Sequence, residues 1–142
     1  FNLEFSDGRD ISLYNLDTQF VINKILEADA ILIATPIYQT SIPGALKNIF
    51  DLLPMNSLKG KLAGMIVTAG SPMYYLMAEQ QLKPILTYMG AHLIPKYVYI
   101  QDADFNANQE IINPDITQRL NVLSCDMIKG LRHVAYEKTM TF

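Results

Sequence analysis

Hydrophobic and polar positions follow two different periods along this chain, and the two alternate. Continuous aliphatic runs occupy residues 30–34 and 62–68, and a third apolar stretch covers 93–101. Runs of this kind predict core strands, buried on both faces as in a parallel sheet. Between them, apolar residues recur every three or four positions, which predicts the following helices: 18–29, 45–53, 76–91 and one from 114 onward. A weaker alternation in residues 1–5 predicts a short strand.

The boundaries of these elements depend on a few capping residues and prolines. Asp17 or Thr18 is a suitable N-cap for the first helix. Pro84 falls inside the third helix, where it removes a backbone hydrogen bond and predicts a kink or a locally unwound turn. Asn113 followed by Pro114 predicts the start of the last helix, because proline is favoured at the first helical position.

Strands that alternate with helices of this length predict one α/β domain, residues 1–142, with a doubly wound parallel sheet. In such sheets, ligands bind beyond the carboxyl ends of the strands, where the strand order reverses. Two loops with small and aromatic residues, 35–43 and 69–75, leave the carboxyl ends of the first two aliphatic runs. The sequence therefore predicts that these loops line one crevice.

Composition narrows the class of protein. The chain carries a formal net charge of -3 with a pI near 5.2, which argues against broad binding of nucleic acid or anionic membranes. No apolar run reaches the roughly 20 residues of a membrane span, so we expect a cytoplasmic location and no membrane partner. The single cysteine, Cys125, is expected to be a small packed residue of the last helix, with a reactive thiol as the alternative.

Residues of the usual catalytic and metal-binding types form no recognisable constellation. His92 and His133 are isolated, no metal-ligand spacing occurs and no nucleophile motif is present. We therefore predict no catalytic side chain and no metal site. Four charged residues are expected to be ordinary solvated surface: Lys59, Lys61, Asp102 and Asp104.

Loop 35–43 carries groups suited to holding a flat molecule. It contains no acid, base or thiol, and its polar and aromatic groups belong to Thr35, Tyr38, Gln39, Thr40 and Ser41. The helix that follows adds free backbone N–H groups at its start. Stacking and hydrogen bonds would let this loop bind a planar molecule with a polar edge. The alternative is a rigid loop whose tyrosine only packs, and the spacing alone leaves it open.

Three segments together resemble the NADPH-dependent FMN reductase family of flavodoxin-like proteins. They read ADAILIATPIYQTSIPGALKNIFDLL, LKGKLAGMIVTAGS and QLKPILTYMGAHLIPKYVYI. The loop of that family reads Pro-Glu-Tyr-Asn-(Gly)-Ser-hydrophobic-Pro-Gly-hydrophobic-Leu-Lys-Asn, and the residues that match it in order are Pro36, Tyr38, Ser41, Pro43, Gly44, Leu46, Lys47 and Asn48. Three departures are Ile37 for the acid, Gln39 for the asparagine, and Pro72-Met73 where many members have glycines.

The resemblance implies an FMN site at the ends of the first two strands. The residues that would border the flavin ring are Pro36, Ile37, Tyr38, Gln39, Thr40 and Ser41, with Tyr38 against or beside the ring. Those that would approach its pyrimidine edge through backbone groups are Thr68, Ala69, Gly70 and Ser71. The flavodoxin-like strand order, 2-1-3-4-5, also implies a first strand, a phosphate-binding loop and a first helix that this chain lacks. We expect them on about 35 to 50 preceding residues.

The activity implied by the resemblance is an NAD(P)H-dependent FMN oxidoreductase. Hydride would pass from NAD(P)H to FMN, and electrons onward to a flavin, a quinone or an azo compound. The family resemblance also implies a homodimer, or a tetramer, that pairs through helix 43–53, and we expect part of its apolar stripe to be exposed: Leu46, Ile49, Phe50 and Leu53. Two alternatives stay open, a flavodoxin-type electron carrier and a non-enzymatic scaffold domain that has lost FMN.

Overall fold

The predicted apolar runs form one parallel sheet. The computed structural model describes residues 1–140, with the side chains of its last helix as far as Val134 together with Tyr136. The strands are β1 (Ala30–Pro36), β2 (Leu62–Ala69), β3 (His92–Leu93) and β4 (Val98–Gln101). β2 is central and pairs in parallel with β1 on one edge and with β3 and β4 on the other. The predicted flavodoxin-like α/β class is confirmed.

Helices cover both faces of this sheet. They are α1 (Leu16–Glu27), α2 (Gly44–Leu52), α3 (Lys83–Tyr88) and α4 (Pro114–Met140). Buried residues of α1, α2 and α3 form one apolar cluster with Met65 of β2, and α4 forms a second cluster with Val98 and Ile100 of β4. No helix within residues 1–140 has the length and apolarity needed to cross a membrane.

α4 runs antiparallel to the strands beneath it. A Cβ placed on Gly64 of β2 would lie 2.8 Å from the sulfur of Met127, and one placed on Gly130 would lie 2.8 Å from a methyl group of Leu62. Later helix residues therefore lie over earlier strand residues. The two glycines allow the helix and the sheet to approach closely.

The first strand differs from its prediction, because β1 is not buried on both faces. Ile31 and Ile33 pack against the α1–α3 side, whereas Leu32 is 53% exposed and Ala34 is exposed on the α4 side. Along its outer edge, β1 has no paired strand among residues 1–140. The expected preceding strand stays a prediction.

The strand predicted for residues 1–5 is wrong. This segment has no regular secondary structure and pairs with no strand among residues 1–140, and side chains of α1 and α2 bond its backbone groups instead. The N–H of Glu4 donates to Thr18 Oγ1, and the buried amide of Asn48 accepts from Ser6 N–H and donates to the Glu4 carbonyl. The backbone groups of this segment are therefore hydrogen-bonded without a sheet, since side chains supply the bonds that a neighbouring strand would supply.

Two prolines interrupt the third helix and the third predicted strand. Before Pro84 the third helix widens into a π-helical turn over Ala78–Leu82, where Lys83 N–H bonds the Ala78 carbonyl. Pro84 cannot donate its own hydrogen bond, so the predicted local unwinding is confirmed. Pro95 separates β3 from β4 for the same reason, and the single strand predicted over 93–101 is wrong.

Several single-residue predictions also differ from the structure. Asn15, rather than Asp17 or Thr18, caps α1, because its side chain accepts from the Thr18 N–H. Cys125 is exposed, since the inward face of α4 at this level is formed by Leu123 and Met127.

Two of the four charged residues predicted to be solvated have structural roles. Lys61 Nζ donates to the carbonyls of Leu26 and Ala28 at the end of α1, where backbone carbonyls lack helical partners. Asp104 is buried. Lys59 and Asp102 are exposed, as predicted.

The apolar stripe of α2 lies mostly within the fold. Phe50 and Leu53 are buried, and Leu46 and Ile49 are half-buried against the same cluster. The exposed patch predicted for these four side chains is therefore wrong. The fold absorbs most of the stripe, because α2 packs into the apolar cluster that also contains residues of β1 and α3, and Asn48 of α2 bonds the N-terminal segment.

Candidate functional site

The two predicted loops meet at one end of the sheet. Pro36 of β1 and Thr68 of β2 are register partners, and the N–H of Ile37 donates to the Thr68 carbonyl at 2.9 Å. All ten predicted site residues, 36–41 and 68–71, therefore lie at the carboxyl ends of two adjacent parallel strands. This is the position at which doubly wound sheets bind ligands.

The first loop is a tight turn that presents an aromatic side chain. Tyr38 and Ser41 exchange backbone hydrogen bonds of 2.9 and 3.0 Å, and the two residues between them, Gln39 and Thr40, have φ of 49° and 60°. Their backbone N–H groups donate to no acceptor within residues 1–140. Tyr38 itself is 63% exposed, so the alternative of a tyrosine that only packs does not hold.

The π-helical turn supports this loop. Ser41 Oγ donates to Gln81 Oε1 at 3.2 Å, across 40 residues of sequence. Gln81 was not predicted as a site residue. The only feature of the sequence that points to Gln81 is Pro84, which predicts an irregular helical turn just before the proline.

The second loop brings backbone close to the crevice. Ser71 caps a short 3-10 turn over Pro72–Tyr74 by accepting from the Met73 N–H. Gly70 is exposed, and a Cβ at this position would lie 3.1 Å from Asp102 Oδ2. The Asp102 carboxylate is solvated as predicted, but it also borders the crevice, which the sequence analysis did not predict. Asp102 directly follows β4, which ends at the same edge of the sheet as β1 and β2.

Two tyrosines of the β4 segment anchor the second loop. Tyr99 Oη donates to the Ser71 carbonyl at 2.5 Å, and Tyr97 Oη donates to the Tyr75 carbonyl. Burial raises the pKa of both phenols, so both stay protonated and able to donate at neutral pH. The backbone of 71–75 is thereby tied to the edge of the sheet.

Asp104 holds the connection between β4 and α4. Its carboxylate accepts from Asn113 Nδ2 at 2.6 Å and from Gln101 N–H at 2.8 Å. These two hydrogen bonds, the Asn113 side chain first, hold the pKa of Asp104 below its usual range. The predicted cap of α4 is confirmed as well, since Asn113 Oδ1 accepts from the Asp115 N–H.

The crevice fits the ring of a flavin better than a charged group. Its donors are backbone N–H groups of the Gln39–Thr40 turn, its flat surface is Tyr38, and the exposed backbone of Gly70 borders it beside the Asp102 carboxylate. Neither loop contains lysine or arginine. This donor set matches an uncharged planar ring with carbonyl and imide edges, such as the isoalloxazine of FMN, and offers no cation for its phosphate.

Comparison with known proteins agrees with this geometry. Residues 8–104 match the sequence profile of the NADPH-dependent FMN reductase family. An NAD(P)H-dependent FAD/FMN reductase of Geobacillus thermodenitrificans is 41% identical over 128 residues, which cover 90% of this chain and 69% of the relative. The chain therefore belongs to the NADPH-dependent FMN reductase family.

Solved structures lead to the same fold. An NADH:FMN oxidoreductase (EMOB), in its apo form, is 29% identical with a TM-score of 0.68, covering 90% of this chain and 62% of that one. An oxidoreductase of Corynebacterium diphtheriae has a TM-score of 0.76 at 23% identity, covering 86% and 65% respectively. This chain thus spans about two thirds of the length of these proteins.

Proposed function

We propose that this chain is the larger part of an FMN-dependent oxidoreductase that takes hydride from NAD(P)H. The observation that carries the proposal is the joined pair of loops at residues 36–41 and 68–71, held together by the Ile37–Thr68 hydrogen bond at the ligand-binding end of the sheet. The family match and the Geobacillus relative, a reductase of FAD and FMN, support it.

Each loop has a separate part in holding the flavin. The exposed ring of Tyr38 provides a surface for stacking, and the N–H groups of Gln39 and Thr40 donate to the ring's polar edge. Gly70 and Ser71 bring backbone to the pyrimidine edge, next to the Asp102 carboxylate. When bound, FMN supplies the hydride-accepting chemistry itself, and no acidic or basic side chain of these loops is needed for it.

The electron acceptor is a further part of the proposal. A loop that contacts the ring through one tyrosine leaves the other ring face accessible to a second flat molecule. Free flavin, a quinone or an azo compound each meets that requirement. The location of the protein in the cytoplasm likewise stays a prediction.

The test is flavin reconstitution followed by turnover. Protein purified from the full-length gene is mixed with FMN, desalted and examined for flavin absorbance, and NADPH consumption is then followed with each of the three acceptors. Retained FMN with NADPH consumption supports the proposal. Retained FMN without consumption would favour an electron carrier, and failure to retain FMN would favour a scaffold domain.

We also propose a symmetric dimer that involves the α2 region. The α2 stripe is covered within the fold, so the support comes from the surface next to α2. There Met55 is 78% exposed and Tyr88 is 76% exposed, and both line a depression of about 580 Å³. Large apolar side chains grouped in this way favour an interface. Sedimentation should give a dimer that Tyr88→Asp dissociates, whereas Leu13→Asp, at a residue 65% exposed elsewhere, should not. A wild-type monomer at micromolar concentration would contradict this proposal.

A further inference from the structure

A cleft distinct from the crevice of residues 36–41 and 68–71 runs along the β4 segment. It has a volume of about 800 Å³, within the usual range for small-molecule sites, and α4 forms one wall while the π-helical turn region forms another. The predicted site residues 36–41 and 68–71 are not among its lining residues. It is therefore a separate cavity, and the proposed flavin site does not account for it.

Aromatic side chains give this cleft a fixed flat lining. Tyr75, Tyr97 and Tyr99 line it together with the exposed apolar side chain of Val122. The hydroxyls of Tyr97 and Tyr99 are tied to backbone carbonyls, so their rings lose little further freedom when a ligand binds. Such a surface suits a planar ring, which gains stacking energy at a small entropic cost.

The charges of the cleft are divided between its two ends. Because α4 runs antiparallel to the sheet, Arg119 lies at the Tyr99 end, and Asp126, two helical turns later, lies at the Lys96 end. Arg119 makes no hydrogen bond or salt bridge to any residue that the structure describes, although it is close enough to Asp104 for a favourable charge interaction.

The opposite end carries acceptors for hydrogen-bond donors. Asp126 is half-buried, and Glu79 lines the same cleft while its carboxylate bonds Lys83 Nζ at 2.5 Å. Lys96 is exposed there as well. A ligand with an anionic group at this end would be repelled by these carboxylates, whereas one with amino or hydroxyl groups would donate hydrogen bonds to them.

We propose that this cleft binds a nucleoside monophosphate or a molecule of that chemistry, an aromatic ring with one anionic end and one donor-bearing end. Arg119 holds the phosphate by charge-assisted hydrogen bonds, the tyrosines hold the ring, and Asp126 accepts from the far end. The cleft touches the flavin loop through Tyr99 and Ser71, so its occupant sits one side chain away from the proposed flavin site.

The experiment is calorimetric titration of the protein with AMP, adenosine and salicylate as probes. We expect AMP to bind with one site per chain and adenosine more weakly, because adenosine lacks the anion. Arg119→Gln should weaken AMP about tenfold, the scale of one charge-assisted interaction, and leave adenosine unchanged. Lys129→Gln is the matched control, since it removes one positive charge from an exposed position of the same helix outside the cleft.

Three results would overturn the proposal: no AMP binding, equal AMP affinities in R119Q and K129Q, or salicylate binding as tightly as AMP. Equal melting temperatures of the two variants exclude a folding defect as the cause of lost binding. The proposal does not depend on flavin. Protein that binds AMP but not FMN would refute the proposed function and leave this site standing.

Discussion

Truncation of Tyr38 separates a ligand-binding role of the loop from a structural one. The ring is 63% exposed, and its hydroxyl bonds to no residue among 1–140, so its removal costs the folded protein few buried contacts. Tyr38→Ala should leave the melting temperature of the flavin-free protein nearly unchanged. Lost stacking should weaken FMN by about 0.5–1.5 kcal/mol, which is roughly a two- to twelvefold rise in Kd.

The assay is titration of FMN fluorescence, which is quenched when the ring is stacked, alongside thermal unfolding of the flavin-free form. Leu13→Ala is the matched control, because Leu13 is similarly accessible at 65% exposure and lies on neither loop and outside the proposed dimer surface. An unchanged FMN affinity in Tyr38→Ala would refute the stacking role. A large fall in melting temperature would show that the loop is held together by this ring.

Three further changes test the fold around the site. Gly64→Ala would place a methyl group 2.8 Å from the Met127 sulfur, and thermal or urea unfolding should show a loss of about 1–3 kcal/mol from overpacking. No loss would show that the flexible Met127 side chain shifts to make room. Asp104→Asn removes a carboxylate whose pKa is lowered in the folded protein, and this carboxylate stabilises the fold at pH values above the ordinary pKa of aspartate. The difference in unfolding free energy between wild type and variant should therefore be full at neutral pH and shrink as the pH falls through the lowered pKa. A difference that does not change with pH would contradict this. Lys61→Met should destabilise the protein by about 1–3 kcal/mol in denaturant, since it leaves two carbonyls at the end of α1 without a donor; an unchanged midpoint would show that water replaces the ammonium.

The sequence determined the class of fold and which two loops meet at the candidate site. Continuous aliphatic runs separated by helical periods allow few arrangements other than a parallel sheet covered by helices, and loops that leave such strands must meet at one edge. Pro84 and Asn113–Pro114 could also be interpreted from the sequence alone, because a missing N–H and a side-chain cap change the backbone geometry of their own helix wherever they occur.

Tertiary contacts decided what a one-dimensional pattern does not contain. Whether Leu32 is buried depends on what lies above β1, and whether residues 1–5 pair depends on the side chains of Thr18 and Asn48, which lie far along the sequence. Gln81 and Asp102 border the crevice for the same reason: their neighbours come from other strands and turns. Periodicity records which face of an element is apolar, while burial, pairing and electrostatic environment depend on elements brought together only by folding.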